Sequence, residues 1–191
     1  MNFLKIKLLV IAIIMFAASS AFASLSYDVT IDTSSILNSD GYIYLQFDPG
    51  FGLGSNTAPT GTATISNFTG ASLGAQDTAN IVNGSAVSGT LPGSVVFSNT
   101  NQVNDYNQAI HFGNSLNFHL VFDGAAVDAP NNVASTFSVG LFSNIDGTGA
   151  LLTSNGTVYS QDTPTTPIPA AAWLLGSGLV GLVGIRRRKR A

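Results

Sequence analysis

The chain has 191 residues, no cysteine and a formal charge of −3, and its seven basic residues all lie at the two ends. Lys5 and Lys7 stand at the front and Arg186, Arg187, Arg188, Lys189 and Arg190 at the back, while the ten acidic residues, all Asp, fall between Asp28 and Asp162. A body without Lys or Arg has nothing to neutralise phosphates, which argues against nucleic acid as a partner, and a chain without thiols has neither disulfides nor a cysteine nucleophile.

Residues 1–23 follow the three-part pattern of an export signal. Lys5 and Lys7 form a positive leading region, and Leu8 to Ala18 is an uncharged run of 11 residues, short for a membrane span. Small residues follow, with Ala21 and Ala23 at the positions a signal peptidase reads, so cleavage is expected between Ala23 and Ser24. The implied partners are Sec-type export machinery and signal peptidase. The competing reading is an uncleaved N-terminal anchor.

Residues 24–160 are expected to form an all-β body. Tyr27, Val29 and Ile31 alternate with Asp28, Thr30 and Asp32, and Ile43, Leu45 and Phe47 alternate with Tyr44 and Gln46. Ala63 and Ile65, then Val95 and Phe97, then Leu116, Phe118, Leu120 and Phe122, then Phe137, Val139 and Leu141 continue the period of two. Asp40-Gly41, Asn83-Gly84, Asp123-Gly124, Asp146-Gly147 and Asn155-Gly156 are dipeptides that accept positive φ and punctuate the runs. Asn155-Gly156 is expected to close a terminal hairpin between Leu151-Leu152 and Val158-Tyr159. Short strands at roughly ten-residue spacing predict a single β-sandwich, jelly-roll-like, with a Phe-rich interior.

The back end has three zones. Residues 161–167 form a Thr/Pro linker, in which proline keeps the backbone extended. From Ile168 to Ile185 there are 18 uncharged residues, which as a helix would span roughly 27 Å, enough for a bilayer core. Gly176, Gly178, Gly181 and Gly184 are tolerated in membrane helices, and Trp173 lies near the outer end, where indole favours the interface. The block Arg186, Arg187, Arg188, Lys189 and Arg190 would then stay cytoplasmic. The body is thus flanked by an N-terminal signal helix and a C-terminal transmembrane helix; a plain unprocessed tail anchor is the simpler alternative.

Residues 167–182, Pro-Ile-Pro-Ala-Ala-Ala-Trp-Leu-Leu-Gly-Ser-Gly-Leu-Val-Gly-Leu, followed by the basic block, resemble the PEP-CTERM sorting signal. They are closest to the variant that begins Val-Pro-Leu-Pro before Ala-Ala-Trp-Leu, with Ile168 where the commonest form has Glu and Thr166 where Val is usual. The sorting residues are Pro167, Ile168, Pro169, Trp173, Gly176 and Gly178. The resemblance implies recognition by an exosortase that cuts near the proline motif and releases or transfers the body. It also implies a Gram-negative carrier and an association with biofilm or exopolysaccharide, with the mature body at the outer surface or outside the cell. Tyr27–Thr33, Gly41–Gly50 and Asn104-Asp105-Tyr106 are similar to small β-rich bodies of such proteins, a likeness that implies architecture and no activity.

Catalysis in the body would have to use Asp, His, Ser, Thr, Tyr or Asn. Asp28 and Asp32 share a strand face, but that face alternates with the apolar one and reads as solvent-facing. If Gly113-Asn114-Ser115 turned a hairpin pairing Phe112 with Leu116, His111 and His119 would share a sheet face, still without a third metal ligand placed by spacing. Calcium is the metal that the Asp-rich, cation-free composition favours, yet Asn144-Ile145-Asp146-Gly147 is only a fragment of a calcium loop, and no cofactor is expected. Gly52-Leu53-Gly54 lacks the strand-to-helix context of a nucleotide loop. Tyr42 and Tyr44, two apart on the non-core face, suggest a sugar-stacking platform, weighed against ordinary cross-strand packing. The expectation is a non-enzymatic structural or interaction protein of the surface or matrix; a carbohydrate-binding module is the alternative, and a secreted hydrolase a third reading.

Overall fold

The structure, a computed structural model, describes residues 24–50, 59–78, 86–128 and 133–164. The strands are β1 (Leu25–Asp32), β2 (Asp40–Asp48), β3 (Gly61–Gln76), β4 (Val87–Gly89), β5 (Val95–Ser98), β6 (Asp105–Gly124), β7 (Thr136–Phe142) and β8 (Thr157–Asp162). Among the described residues these eight form one antiparallel sheet in the order β4-β5-β3-β6-β2-β7-β8, with β1 also paired to β6. One 3-10 turn (Ser34–Ile36) and one turn of α-helix (Ala125–Asp128) complete the assigned elements. The body is all-β, as its alternation predicts.

Period-two patterning puts every apolar side chain of β2 on one face: Ile43, Leu45 and Phe47 are buried, while Tyr42, Tyr44 and Gln46 are half-buried. In β6 the even-numbered residues from Tyr106 to Phe122 are buried, with Asn114 the exception. Asn114 marks a fold line. Phe47 N donates to Asn104 O at the start of β6, yet the Phe47 ring stacks on Phe122, near the end of that strand, with centroids 5.7 Å apart. A straight strand would separate Asn104 and Phe122 by about 60 Å. The sheet therefore folds back on its own apolar face.

Three segments cross this line together. Between β1 and β2 the chain bypasses the centre of β6, with Thr33 N donating to Asn114 O (2.9 Å), Thr33 Oγ1 to Gly113 O (2.7 Å) and Asn38 N to Phe112 O (2.9 Å). β1 and β2 thus lie end to end along the same edge of β6. On the other edge β3 shifts register between Ser66 and Thr69 and again before Ala71, with Gly70 at φ +97°. These are bulges, which bend a strand and strengthen its twist. Folding brings strands that share no hydrogen bonds into contact: Phe137 of β7 meets Phe97 of β5 and Phe118 of β6, and Phe118 also meets Tyr159 of β8.

Buried amides tie the loops to this core. Asn99 accepts from Gly61 N (2.7 Å) and donates to Pro59 O (2.7 Å) and Ser135 Oγ (2.8 Å); Asn104 donates to Phe47 O (2.9 Å) and Asn101 O (2.8 Å). Each answers backbone groups that burial would otherwise leave unpaired.

Two local expectations are corrected. Gly113-Asn114-Ser115 is no hairpin turn: β6 runs through it, because Thr33 and Asn38 supply the hydrogen bonds that carry the strand across the bend. Asn155-Gly156 does lie in a turn, but Leu151 and Leu152 are not a strand. Leu151 N donates to Leu141 O (2.9 Å), and β8 pairs with β7 instead. The signal residues including Ala21 and Ala23, the sorting residues Pro167, Ile168, Pro169, Trp173, Gly176 and Gly178, the block Arg186–Arg190, and Gly52-Leu53-Gly54 and Asn83-Gly84 lie outside the described residues. Ser24 is exposed just before β1, and among the described residues no helix is long and apolar enough to cross a membrane.

Candidate functional site

The outer face of β2, β6 and β3 collects the polar and aromatic chemistry of the body. Register sets Asp40 opposite His111 and His111 opposite Ser72, a row across three strands. His111 Nδ1 donates to Asp40 Oδ1 at 2.8 Å. A carboxylate only accepts, so Nδ1 carries the hydrogen, and Nε2 is the ring nitrogen turned away from Asp40. No hydrogen bond joins Ser72 to the imidazole, so the row has the order of a nucleophilic relay without its closed contact. A second row repeats the pattern beyond the fold line: Asp28 opposite His119 opposite Ser66, with His119 Nδ1 and Asp28 Oδ1 2.7 Å apart.

The two rows differ in their surroundings. The first borders a cleft of about 400 Å³ whose lining includes Asp40, Tyr42, Ser72, Gly74, Ala109 and His111. A depression of about 270 Å³ shares Ser72 and His111 with it and reaches the fold line at Gly70 and Gly113. His119 lines neither. The cleft exists because β3 and β6 place small residues side by side: a Cβ on Gly74 would lie 2.9 Å from Ala109 Cβ. Larger residues there would fill it.

Of the two tyrosines singled out by alternation, only Tyr42 lines the cleft. Tyr44 packs edge-on against Phe142 (5.2 Å, 82°), and its hydroxyl donates to Ile145 O, which also accepts from Asn107 Nδ2 at 3.0 Å. Burial pushes the Tyr44 phenol above its ordinary value, and the carboxylates of Asp77, Asp146 and Asp105 add to this. Tyr44 therefore anchors the loop after β7. Ser72, Gly74 and Ala109 belong to the cleft through pairing between β3 and β6, for which no local signal exists.

No protein-family model matches this chain, and neither curated proteins nor solved structures yield a match.

The remaining candidates lie apart from one another. His111 and His119 share the outer face, but eight residues of one strand, about 26 Å of contour, and the fold line separate them. Asp28 is taken by His119, and Asp32 accepts from Ser34 N at 2.9 Å; the bonds from Ser34 hold the Asp32 carboxyl below its ordinary value. Asp146 is held low in the same way by Thr148, whose N and Oγ1 donate to it at 3.0 and 2.6 Å, so this carboxylate shapes its own turn. Among the described residues no three Asp or His side chains converge as metal ligands.

Asp48 and Asp105 carry the opposite shift. Burial raises both carboxyls, the Asp105 charge raises Asp48 further, and Asp48 Oδ1 is buried without a partner. At these two sites the folded protein holds protons that the unfolded chain has released, so their contribution to stability falls as pH rises through the window above the ordinary value of 3.8. Asp32 and Asp146 act below that value and are constant above it. Melting temperatures from about pH 4 to about pH 7 are expected to fall less steeply in Asp48→Asn than in the wild type. Parallel curves would refute this assignment.

Proposed function

We propose that this is an exported, exosortase-processed protein of the cell surface or extracellular matrix, with a non-enzymatic structural or interaction role. The observation that carries the reading is the confinement of all basic residues to two ends, each beside an uncharged stretch, the rear one having the order Pro-Ile-Pro, Ala-Ala-Ala-Trp, Gly-Ser-Gly and a basic block. A lipid bilayer and a translocation machine read such asymmetry through hydropathy and the positive-inside rule. In this reading a signal peptide is removed before Ser24, a helix over about residues 168–185 holds the chain in the inner membrane, and an exosortase acts near Pro167–Pro169. The body is a single jelly-roll-like sandwich: folding the sheet along Gly113 sets β4, β5, β1 and the near halves of β3 and β6 against β2, β7, β8 and the far halves. The packing of Phe137 on Phe97 and Phe118 supports it.

Mass spectrometry of the mature protein tests this account. The expected species begins at Ser24 and ends near Pro167–Pro169, without Arg186–Ala191. A surface form that keeps Arg186–Ala191 would leave a simple tail anchor and remove the exosortase.

A second reading, a carbohydrate-binding module for extracellular polysaccharide, draws support from Tyr42 lining the cleft beside the Asp40–His111 pair. Aromatic faces and paired polar groups are the chemistry that sugars require.

A further inference from the structure

The cleft at Asp40, Tyr42, Ser72 and His111 has a volume within the range of small-molecule sites. Its polar groups are one-sided in charge. The body has no Lys or Arg to meet an anion, and ten Asp residues give it a negative field. Phosphates, sulfates and uronates would approach against that field and find neither Lys nor Arg. The groups that are offered suit hydroxyls: Asp40 Oδ2, the carboxylate oxygen that His111 does not engage; Nε2 of His111; and the hydroxyls of Ser72 and Ser143. Tyr42 supplies an apolar ring among them, and the contact of Gly74 with Ala109 keeps the floor low enough for a ring to enter.

We infer that this cleft binds a neutral saccharide, with Tyr42 as the stacking wall and Asp40, oriented by His111, as the principal hydroxyl acceptor. The inference rests on the carbohydrate-binding reading and narrows it to one site and one charge class. The row Asp28–His119–Ser66 has the same residues in the same register but lines neither cleft, and it serves as an internal control.

The test is titration calorimetry of the full-length protein in detergent micelles against two panels. One contains neutral gluco-, manno- and xylo-oligosaccharides, and the other oligogalacturonate and oligomannuronate. Binding is expected within the neutral panel and not the uronate panel. Tyr42→Ala, Asp40→Asn and the floor-filling Gly74→Val are each expected to weaken it about tenfold or more, and Asp28→Asn to leave it unchanged. Melting temperatures of the variants identify any that fail to fold, and Asp40→Asn changes an exposed side chain, where folding tolerates it. Neutral binding that survives both Tyr42→Ala and Gly74→Val would overturn the cleft assignment while leaving a carbohydrate module elsewhere on the body. Uronate binding equal to neutral binding would overturn the charge argument alone. Heat-silent titrations in both panels would remove the inference together with the carbohydrate reading.

Discussion

Gly70→Ala is expected to destabilise the body by about 3–5 kcal/mol. Gly70 sits at φ +97°, where an L side chain strains the backbone, and an added Cβ would lie 1.8 Å from Ser115 O. That atom belongs to the main chain of β6 and has no rotamer through which to move aside. Gly113 faces the same approach from the other strand, since a Cβ there would lie 2.2 Å from Gly70 O. Gly113→Ala is expected to cost a similar amount. The double variant should cost less than the sum, because either methyl group alone forces β3 and β6 apart at the fold line. Urea denaturation of the three variants measures this. Unchanged midpoints, or full additivity, would show that the close approach of the two glycines does not hold the bend.

Phe137→Ala is expected to cost about 3–5 kcal/mol. The side chain is fully buried and makes edge-on contacts with Phe97 (5.9 Å, 72°) and Phe118 (6.4 Å, 67°). Neither partner lies on a strand paired with β7, so truncation opens a cavity at the seam where the folded sheet meets itself. Phe137→Leu, which keeps more of the volume, is expected to recover more than half of the loss. With no disulfide to restrain the unfolded chain, such losses are a large share of the stability of a domain this size. Chemical denaturation reads both variants, and a loss below about 1 kcal/mol for Phe137→Ala would be incompatible with a packed seam.

Strands with polar outer faces were legible by alternation. Tyr27–Asp32, Ile43–Phe47, Val95–Phe97, Leu116–Phe122 and Phe137–Leu141 all lie in strands. The first half of β6 was hidden because Asn107 and Gln108 are buried there, at 3% and 5% exposure, which breaks the polar-out pattern. Gln108 is satisfied by donating to Gly74 O (2.9 Å) and accepting from the Tyr106 hydroxyl, partners that only the folded chain supplies. The far half of β3 shows no apolar alternation, because Gly70, Ser72 and Gly74 stand where outward polar or inward apolar residues would mark a strand. Alternation placed Tyr42 and Tyr44 on the outer face, but neither the cleft beside Tyr42 nor the partners of Tyr44 could be read locally, since Phe142 and Ile145 lie about a hundred residues away.

Sequence alone determined what depends on neighbours along the chain: the charge partition, the uncharged terminal stretches, the period of two and the all-β class. The folded molecule decided where β6 bends, which strands flank it, and therefore that Asp40, His111 and Ser72 form one row beside a cleft while Asp28, His119 and Ser66 form another away from it. The physical reason is that side-chain period is a property of a single strand, whereas register is a pairing between strands. Pairing is selected by the whole buried face at once, and here by two glycines whose missing side chains let β3 and β6 touch.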